Sequence, residues 1–303
     1  MVTFHPSFEY ENFIEGISVK TTDDKLNYYN KDGVLKDICY RALKNLIENN
    51  LEQLALNEEI TLEGKQGILD GINGWETCYS KYKELENKLS WDYCDNFVLI
   101  IDEINRGDIS KVFGEVITLL ENDKRIGSSN EQVVRLPFTQ ERFGIPKNIY
   151  ILATMNTSDR SISMMDIALR RRFSFTKCNP KLDLVNELYT FIPTDSDTNN
   201  LLSKSVKAIK SINKKISSIR FIGPDKLIGH SYLMVKDVLK DSDIVSIWSK
   251  DILPLLDEYF VGEYEDMIDL LPTWIIDEDS NNILDVTPDK IIELIEILAN
   301  ENE

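Results

Sequence analysis

Phe97-Val98-Leu99-Ile100-Ile101-Asp102-Glu103-Ile104-Asn105-Arg106 is the stretch on which the reading of this chain turns. Five consecutive apolar, mostly β-favouring residues bounded by polar ones predict a strand buried on both faces, as in a parallel sheet covered by helices. Asp102-Glu103 closes it. Ligands of open α/β sheets gather at the carboxyl ends of parallel strands, so an acid pair there is a candidate site.

The pattern repeats outward from this strand. Downstream, Ser110 to Glu121 reads as a helix, with Val112, Phe113, Val116, Ile117 and Leu120 on its inner face. Gly127 to Asn130 reads as a turn, flanked by the hairpin-like run Gln132 to Phe138. A second strand, Asn148 to Thr154, ends in Met155-Asn156, and a loop over Thr157–Ser161 leads into a helix from Ser163 to Arg172. Phe173-Ser174-Phe175 alternates like a further strand.

Upstream, Val2-Thr3-Phe4 ends a strand, and Glu9 to Ile17 forms a short helix or turn. Tyr28 to Gly33 is a strand closing on an Asp-Gly turn. A helix from Val34 carries Leu35, Ile38, Ala42 and Leu46 on one stripe and stops at Asn49-Asn50. Residues 51–95 read as a polar, partly helical insertion broken by Gly64, Gly67, Gly71 and Gly74. Beyond Pro180 the chain turns helical, over Leu201–Ile219, Ile244–Tyr259 and Lys290–Ala299. Strands alternating with helices, then helices alone, predict an α/β core over 1–179 and a helical domain over 180–303.

The 303 residues carry a formal net charge of −18, unevenly spread. Residues 257–303 hold fifteen acids against Lys290 alone, leaving the first 256 residues at only −4. With no basic patch interleaved with aromatics, direct nucleic-acid recognition by this chain is disfavoured. Cys39, Cys78, Cys94 and Cys178 lack metal-ligand spacing, and two histidines give little scope for a metal site. No secretory leader and no membrane-length apolar run is visible, so a reduced, cytoplasmic setting with no membrane is expected.

The chemistry concentrates at the two strand ends. A carboxylate at Asp102 suits Mg²⁺ held through water, its neighbour Glu103 suits polarising an attacking water, and the Asn156 amide can orient that water. Arg170-Arg171-Arg172 supplies guanidinium groups of the kind that neutralise charge in phosphoryl transfer. Each has a plainer reading: an acid pair caps a helix, a lone Asn ends a turn, and three arginines form a solvated patch or answer a helix C-terminus.

Val98 to Arg106 resembles the Walker B segment of AAA+ NTPases of McrB type, GTP-hydrolysing motors of modification-dependent restriction systems. Met155-Asn156-Thr157-Ser158-Asp159-Arg160-Ser161 is similar to that family's signature loop, which doubles as sensor 1. Ala168 to Phe175 is similar to its arginine-finger segment, and Phe4 to Phe13 and Ile228-Gly229-His230-Ser231-Tyr232 resemble its core and lid. The likeness runs from about Val2 to Gly262, apart from 51–95. It implies an AAA+ core and helical lid, with Asp102 coordinating Mg²⁺, Glu103 activating water and Asn156 placing it. Asp159 and Arg160 would fix the loop and contact a neighbouring subunit. Arg171 and Arg172 would be the finger candidates. It further implies GTP or ATP as the nucleotide and a homo-oligomeric ring of hexamer type. A nuclease-bearing partner subunit of McrC type would act with it, and DNA would be engaged only through other domains or subunits.

The resemblance has one departure. A phosphate loop of the form G-x-x-x-x-G-K-[ST] should precede these motifs, because its N–H groups cradle the phosphates. The only Gly-Lys pair, Gly64-Lys65, has Glu59 where the first Gly belongs and Gln66 where the hydroxyl residue belongs. The family's first strand and phosphate loop are therefore expected before Met1, in a truncated or split protein. The chain alone is expected to be poorly stable and to bind nucleotide weakly, because interior strand edges would lose their partners. Two other roles fit the same residues: a MoxR- or dynein-like ATPase that remodels protein complexes, or a nucleotide-free subunit that lends arginine fingers. Among weaker features, Lys204, Lys207, Lys210 and Lys214 form a helical stripe, either solvated or facing an acidic neighbour. His230 stands where such lids carry a sensor residue, with a structural hydrogen bond as the alternative.

Overall fold

The computed structural model describes residues 1–22, 25–157, 167–191, 196–219, 222–223, 225–234, 238–261, 263–277, 279–280 and 282–301. The chain packs as two compact units, Met1–Phe175 and Thr176–Glu303.

The first unit is built on strands β1 (Val2–Thr3), β2 (Glu15–Thr22), β3 (Lys25–Asp32), β4 (Phe97–Asp102), β5 (Val134–Arg135), β6 (Arg142–Phe143) and β7 (Ile149–Ala153). Three of them make a parallel sheet in the order β1-β4-β7, with Thr3 beside Asp102 and Ile101 beside Ala153. The β2–β3 pair is an antiparallel ribbon, and β5–β6 is a short hairpin whose first strand lies in the run Gln132 to Phe138 but whose turn falls after it, over 136–141, not at Gly127–Asn130.

The expectation that β4 is buried on both faces is corrected. Phe97, Leu99 and Ile101 face a packed side, where Leu99 and Ile101 are buried, and Ile149 of β7 joins them. On the opposite face Val98, Tyr150 and Leu152 are each more than half exposed. Burial therefore alternates along β4 and β7 as it does in a sheet packed on one face, although the continuous apolar run predicts cover on both. Phe173–Phe175 likewise forms no strand, because a strand exists only through a ladder and, among the described residues, no neighbour pairs with it.

Helix α1 (Tyr10–Phe13) precedes the ribbon, and α2 (Val34–Leu56) follows it. Asp32-Gly33 is not a hairpin turn: Gly33 caps α2, and a Cβ there would lie 2.3 Å from the Phe13 backbone. The helix also runs past Asn49-Asn50. Asn50 is buried, with its amide donating to Leu46 O and Ser90 O and accepting from Ser90 N, so it no longer competes with the helix backbone.

The 51–95 stretch holds α3 (Leu62–Asp70) and α4 (Trp75–Leu85), and it reaches the core. Trp75 and Tyr82 are each 1% exposed, and the Trp75 indole donates to Arg142 O at 2.5 Å. After β4 the predicted single helix breaks. It forms α5 (Ile109–Phe113) and then a 3₁₀ segment, Gly114–Leu120, because Gly114 takes φ +50° against the Tyr10 ring. Helix α6 (Ile167–Arg170) is the described part of the helix expected from Ser163.

The second unit comprises α7 (Asp183–Phe191), α8 (Ser196–Ser218), α9 (Asp241–Ile247), α10 (Leu253–Tyr259), α11 (Tyr264–Leu270) and α12 (Pro288–Asn300). Ile209, Ile212 and Ile216 of α8 and Leu294, Ile295 and Leu298 of α12 are fully buried in one core. The acidic segment is thus partly a packed helix. Its charge meets the lysine stripe at Lys204, which pairs with Glu296 at 2.8 Å; Lys215, beside the stripe, pairs with Glu301 at 2.7 Å, and the stripe's Lys210 pairs instead with Asp183 of α7 at 2.5 Å. Between α9 and α10 the turn Trp248–Ile252 widens to a π-helix, just where Pro254 removes an N–H and its ring crowds the preceding turn. Trp248 is buried, with its indole donating to Ser205 Oγ.

One buried charge cluster fastens the β2–β3 ribbon to the first unit. Lys36 is 1% exposed and reaches Glu15 at 3.2 Å, Asp32 at 2.8 Å and Glu141 at 2.6 Å. Burial opposes ionisation of Glu15. Hydrogen bonds from Thr139 and Phe138, with the Lys36 charge, outweigh it and hold the carboxyl below its usual range. A depressed carboxylate stabilises above its unfolded pKa, and that contribution is lost as pH falls through the folded value. Lys36→Met leaves the buried Glu15 carboxylate without its cation, while Asp32 and Glu141 keep solvent, and should destabilise the unit by about 3 kcal/mol, as read by urea unfolding near neutral pH. Acidification below the ordinary glutamate range should shrink that difference.

Candidate functional site

The site is assembled by the β4–β7 ladder, which brings two strand ends together. Asp102 is the last residue of β4, and Thr154 follows β7 directly. The Thr154 hydroxyl donates to Asp102 Oδ1 at 2.6 Å, and Thr154 Oγ1 accepts the Glu103 N–H at 3.2 Å. One side chain thus braces both acids. Sequence reasoning missed Thr154; the signal was its place at the end of the second strand, in register with the acid pair.

Glu103 stands in the left-handed region, φ 55° and ψ 46°, which costs a non-glycine residue about 1 kcal/mol or more. The Thr154 contact and the Ile104 anchor hold it there. Ile104 is 1% exposed, and its N–H donates to Thr154 O at 2.9 Å. Arg106 lies one 3₁₀ turn on and places Nε 3.3 Å from Glu103 Oε2. Asn105 Nδ2 donates to the Asn156 carbonyl at 3.0 Å. Asp102, Glu103 and Asn156 are therefore brought to one place. Asp159 and Arg160 lie outside the described residues.

The arginines separate by environment. Arg172 turns inward, its side chain 5% exposed with Nε 3.1 Å from Glu121 Oε1. Glu121 also receives Lys124 at 2.6 Å, and that contact first and the arginine charges after it hold its carboxyl below the usual range. Arg171 is exposed, and Arg170 is exposed over the Phe175 ring. A polar cleft of about 650 Å³ runs between Leu120–Lys124 and Arg171–Ser174. Sequence reasoning missed Glu121 as the Arg172 partner, and it also missed Arg125. Arg125 is buried and donates to Leu120 O and Ile149 O, tying that same loop to β7. In the second unit, His230 Nδ1 accepts the Lys181 N–H at 3.3 Å, a structural bond.

Among the described residues no cluster of three His, Cys, Asp or Glu could hold a metal ion by itself. Asp102, with one oxygen engaged by Thr154, fits a cation that arrives already bound to phosphates and keeps its waters. No helix among the described residues is long and apolar enough to cross a membrane.

Residues 1–173 match the AAA domain family in its dynein-related subfamily, and the chain belongs to the AAA family. Residues 204–267 match the α-helical lid domain of McrB, so it is an AAA core followed by a helical lid, of McrB type. The chain is 31% identical over 268 residues to the type IV methyl-directed restriction enzyme EcoKMcrB subunit of Escherichia coli K12. That alignment covers 87% of this chain and 47% of the relative. It is 36% identical over 103 residues to the type II restriction enzyme BsuMI component YdiS of Bacillus subtilis 168, covering 31% of this chain and 28% of the relative. The chain spans about half the length of the first and little more than a quarter of the second.

The burial difference between adjacent arginines is measurable. Phenylglyoxal should modify Arg171 in the native chain and spare Arg172, with both reacting in urea; equal native rates by mass spectrometry would contradict the Arg172–Glu121 placement.

Proposed function

We propose that the chain forms the motor core and lid of a nucleoside triphosphatase serving a DNA restriction system, with GTP favoured over ATP. The observation that carries this reading is the meeting of Asp102, Glu103 and Asn156 at the carboxyl ends of two laddered parallel strands, braced by Thr154. Both relatives named above are components of restriction enzymes.

In this reading Mg²⁺ supplies charge neutralisation on the phosphates when bound, and Asp102 holds it through water. The Glu103 carboxylate accepts the proton of the attacking water, and the Asn156 amide orients that water. Arg171, the exposed member of the pair, reaches a neighbouring subunit's nucleotide, while Arg172 on Glu121 shapes the segment that presents it. Asp159 and Arg160 fix the loop against that neighbour. The working assembly is a homo-oligomeric ring, with a nuclease-bearing partner of McrC type and DNA engaged through other domains or subunits, in the cytoplasm.

The phosphate-cradling loop is not among these 303 residues. The exposed face of Val98, Tyr150 and Leu152, beside an edge of β7 that no strand among the described residues pairs with, supports a further strand and helix docking there and bringing that loop. On its own the chain should bind nucleotide weakly, and micromolar GTP or ATP binding by the isolated chain would count against this.

The match to the dynein-related subfamily favours a second reading, an ATPase that remodels protein complexes. The two part on nucleotide: in an assembly that includes the phosphate loop, GTP turnover supports the first and strict ATP preference the second. In the same assembly Glu103→Gln should lower turnover by at least about a hundredfold while nucleotide binding is retained, as the loss of a general base requires. Unchanged turnover would remove the mechanism and favour a subunit that only lends its arginines.

A further inference from the structure

Asn105 is exposed to two demands that its sequence position alone does not explain. It sits on the 3₁₀ turn Ile104–Arg106, directly after the acid pair and 51 residues before the segment it touches. Ile104 is driven into the core and hydrogen-bonded to Thr154 O, so the turn is anchored and Asn105 is delivered toward the loop that follows β7. There Nδ2 donates to Asn156 O at 3.0 Å. The amide's other end, Oδ1, is buried without a hydrogen-bond partner in the described residues. A flipped amide would set two carbonyl-type oxygens against each other, so the donated bond alone decides the orientation. Leaving an acceptor unmatched carries a cost that this one contact must outweigh.

We infer that Asn105 is a positioning residue: it ties the backbone of Asn156 to the turn that carries Glu103, fixing the spacing between the water-orienting amide and the water-activating carboxylate. This rests on the proposed hydrolytic roles of Glu103 and Asn156. The tether itself does not, and it can be read without nucleotide. The distance that matters in such a pair is set by backbone, and a misplacement of about 1 Å in a reacting group costs up to about a hundredfold in rate. Arg106 acts on the same carboxylate from the other side, at 3.3 Å, so residues 105 and 106 divide the work: one holds the loop, the other orients Glu103.

The test has two arms. Hydrogen-exchange mass spectrometry on the full chain compares the native protein with Asn105→Asp, which keeps the shape but cannot donate, and Asn105→Ser, which cannot reach. Both should raise exchange about fivefold in peptides spanning Ile151–Thr157, the effect of losing one hydrogen bond, with α2 peptides unchanged. Unchanged exchange in both variants overturns the tether. In an assembly competent for turnover, Asn105→Asp should lower kcat at least about tenfold with KM unchanged. Raised exchange with an unaltered kcat overturns the positioning role. If instead Glu103→Gln leaves turnover intact, the hydrolytic reading fails, and the exchange arm still decides whether the tether exists.

Discussion

The in-register pairing of β4 with β7 is the constraint from which the site follows. Because Ile101 lies beside Ala153, the residues just beyond them, Asp102 and Thr154, meet at one level, and a 2.6 Å hydrogen bond joins them. A slip of one residue would turn every side chain of the strand to the opposite face. Asp102 would leave Thr154, and Glu103 would lose the acceptor that supports its left-handed backbone. The apolar residues on the packed face prevent that slip: moving Leu99 and Ile101 to the open face would expose side chains that are now buried.

The same unit shows two ways of handling charge. At the ribbon base three carboxylates share one buried lysine, an arrangement that holds only because Glu15 also accepts two backbone N–H groups and a hydroxyl. At the arginine segment Arg172 is neutralised locally while Arg171 is left exposed. Two adjacent identical residues thereby acquire different capacities, one structural and one available to a partner. In the second unit most of the acidic excess is solvated, but part of it is answered by lysines of α8, which ties composition to packing rather than to nucleic-acid repulsion.

Much of this was legible in sequence because it rests on local periodicity. The β4 run, the β7 run and the α8 and α12 helices follow from apolar spacing, and the acid pair stood out because it closes such a run. What failed did so for tertiary reasons. Asn50 reads as a stop until Ser90 satisfies its amide. Gly114 interrupts a helix because Tyr10 packs against it. Phe173–Phe175 has a strand's alternation and no ladder. Trp75, Tyr79 and Tyr82 of a glycine-broken, polar stretch are core residues, since their partners lie on elements distant in sequence.

By itself the sequence determined the class of fold, the order of its elements and the residue types available for phosphate chemistry, for these depend on side-chain period and on what can end a buried strand. The motif resemblance, matched by the AAA and McrB-lid families, came from the same short stretches. Only the tertiary structure decided that Thr154 braces both acids, that Asn105 reaches Asn156, that Arg172 is buried while Arg171 is not, and that one face of the parallel sheet stands open. Each of those depends on which residues distant along the chain come within about 3 Å, and hydrogen-bond geometry at that range is set by packing, not by spacing in sequence.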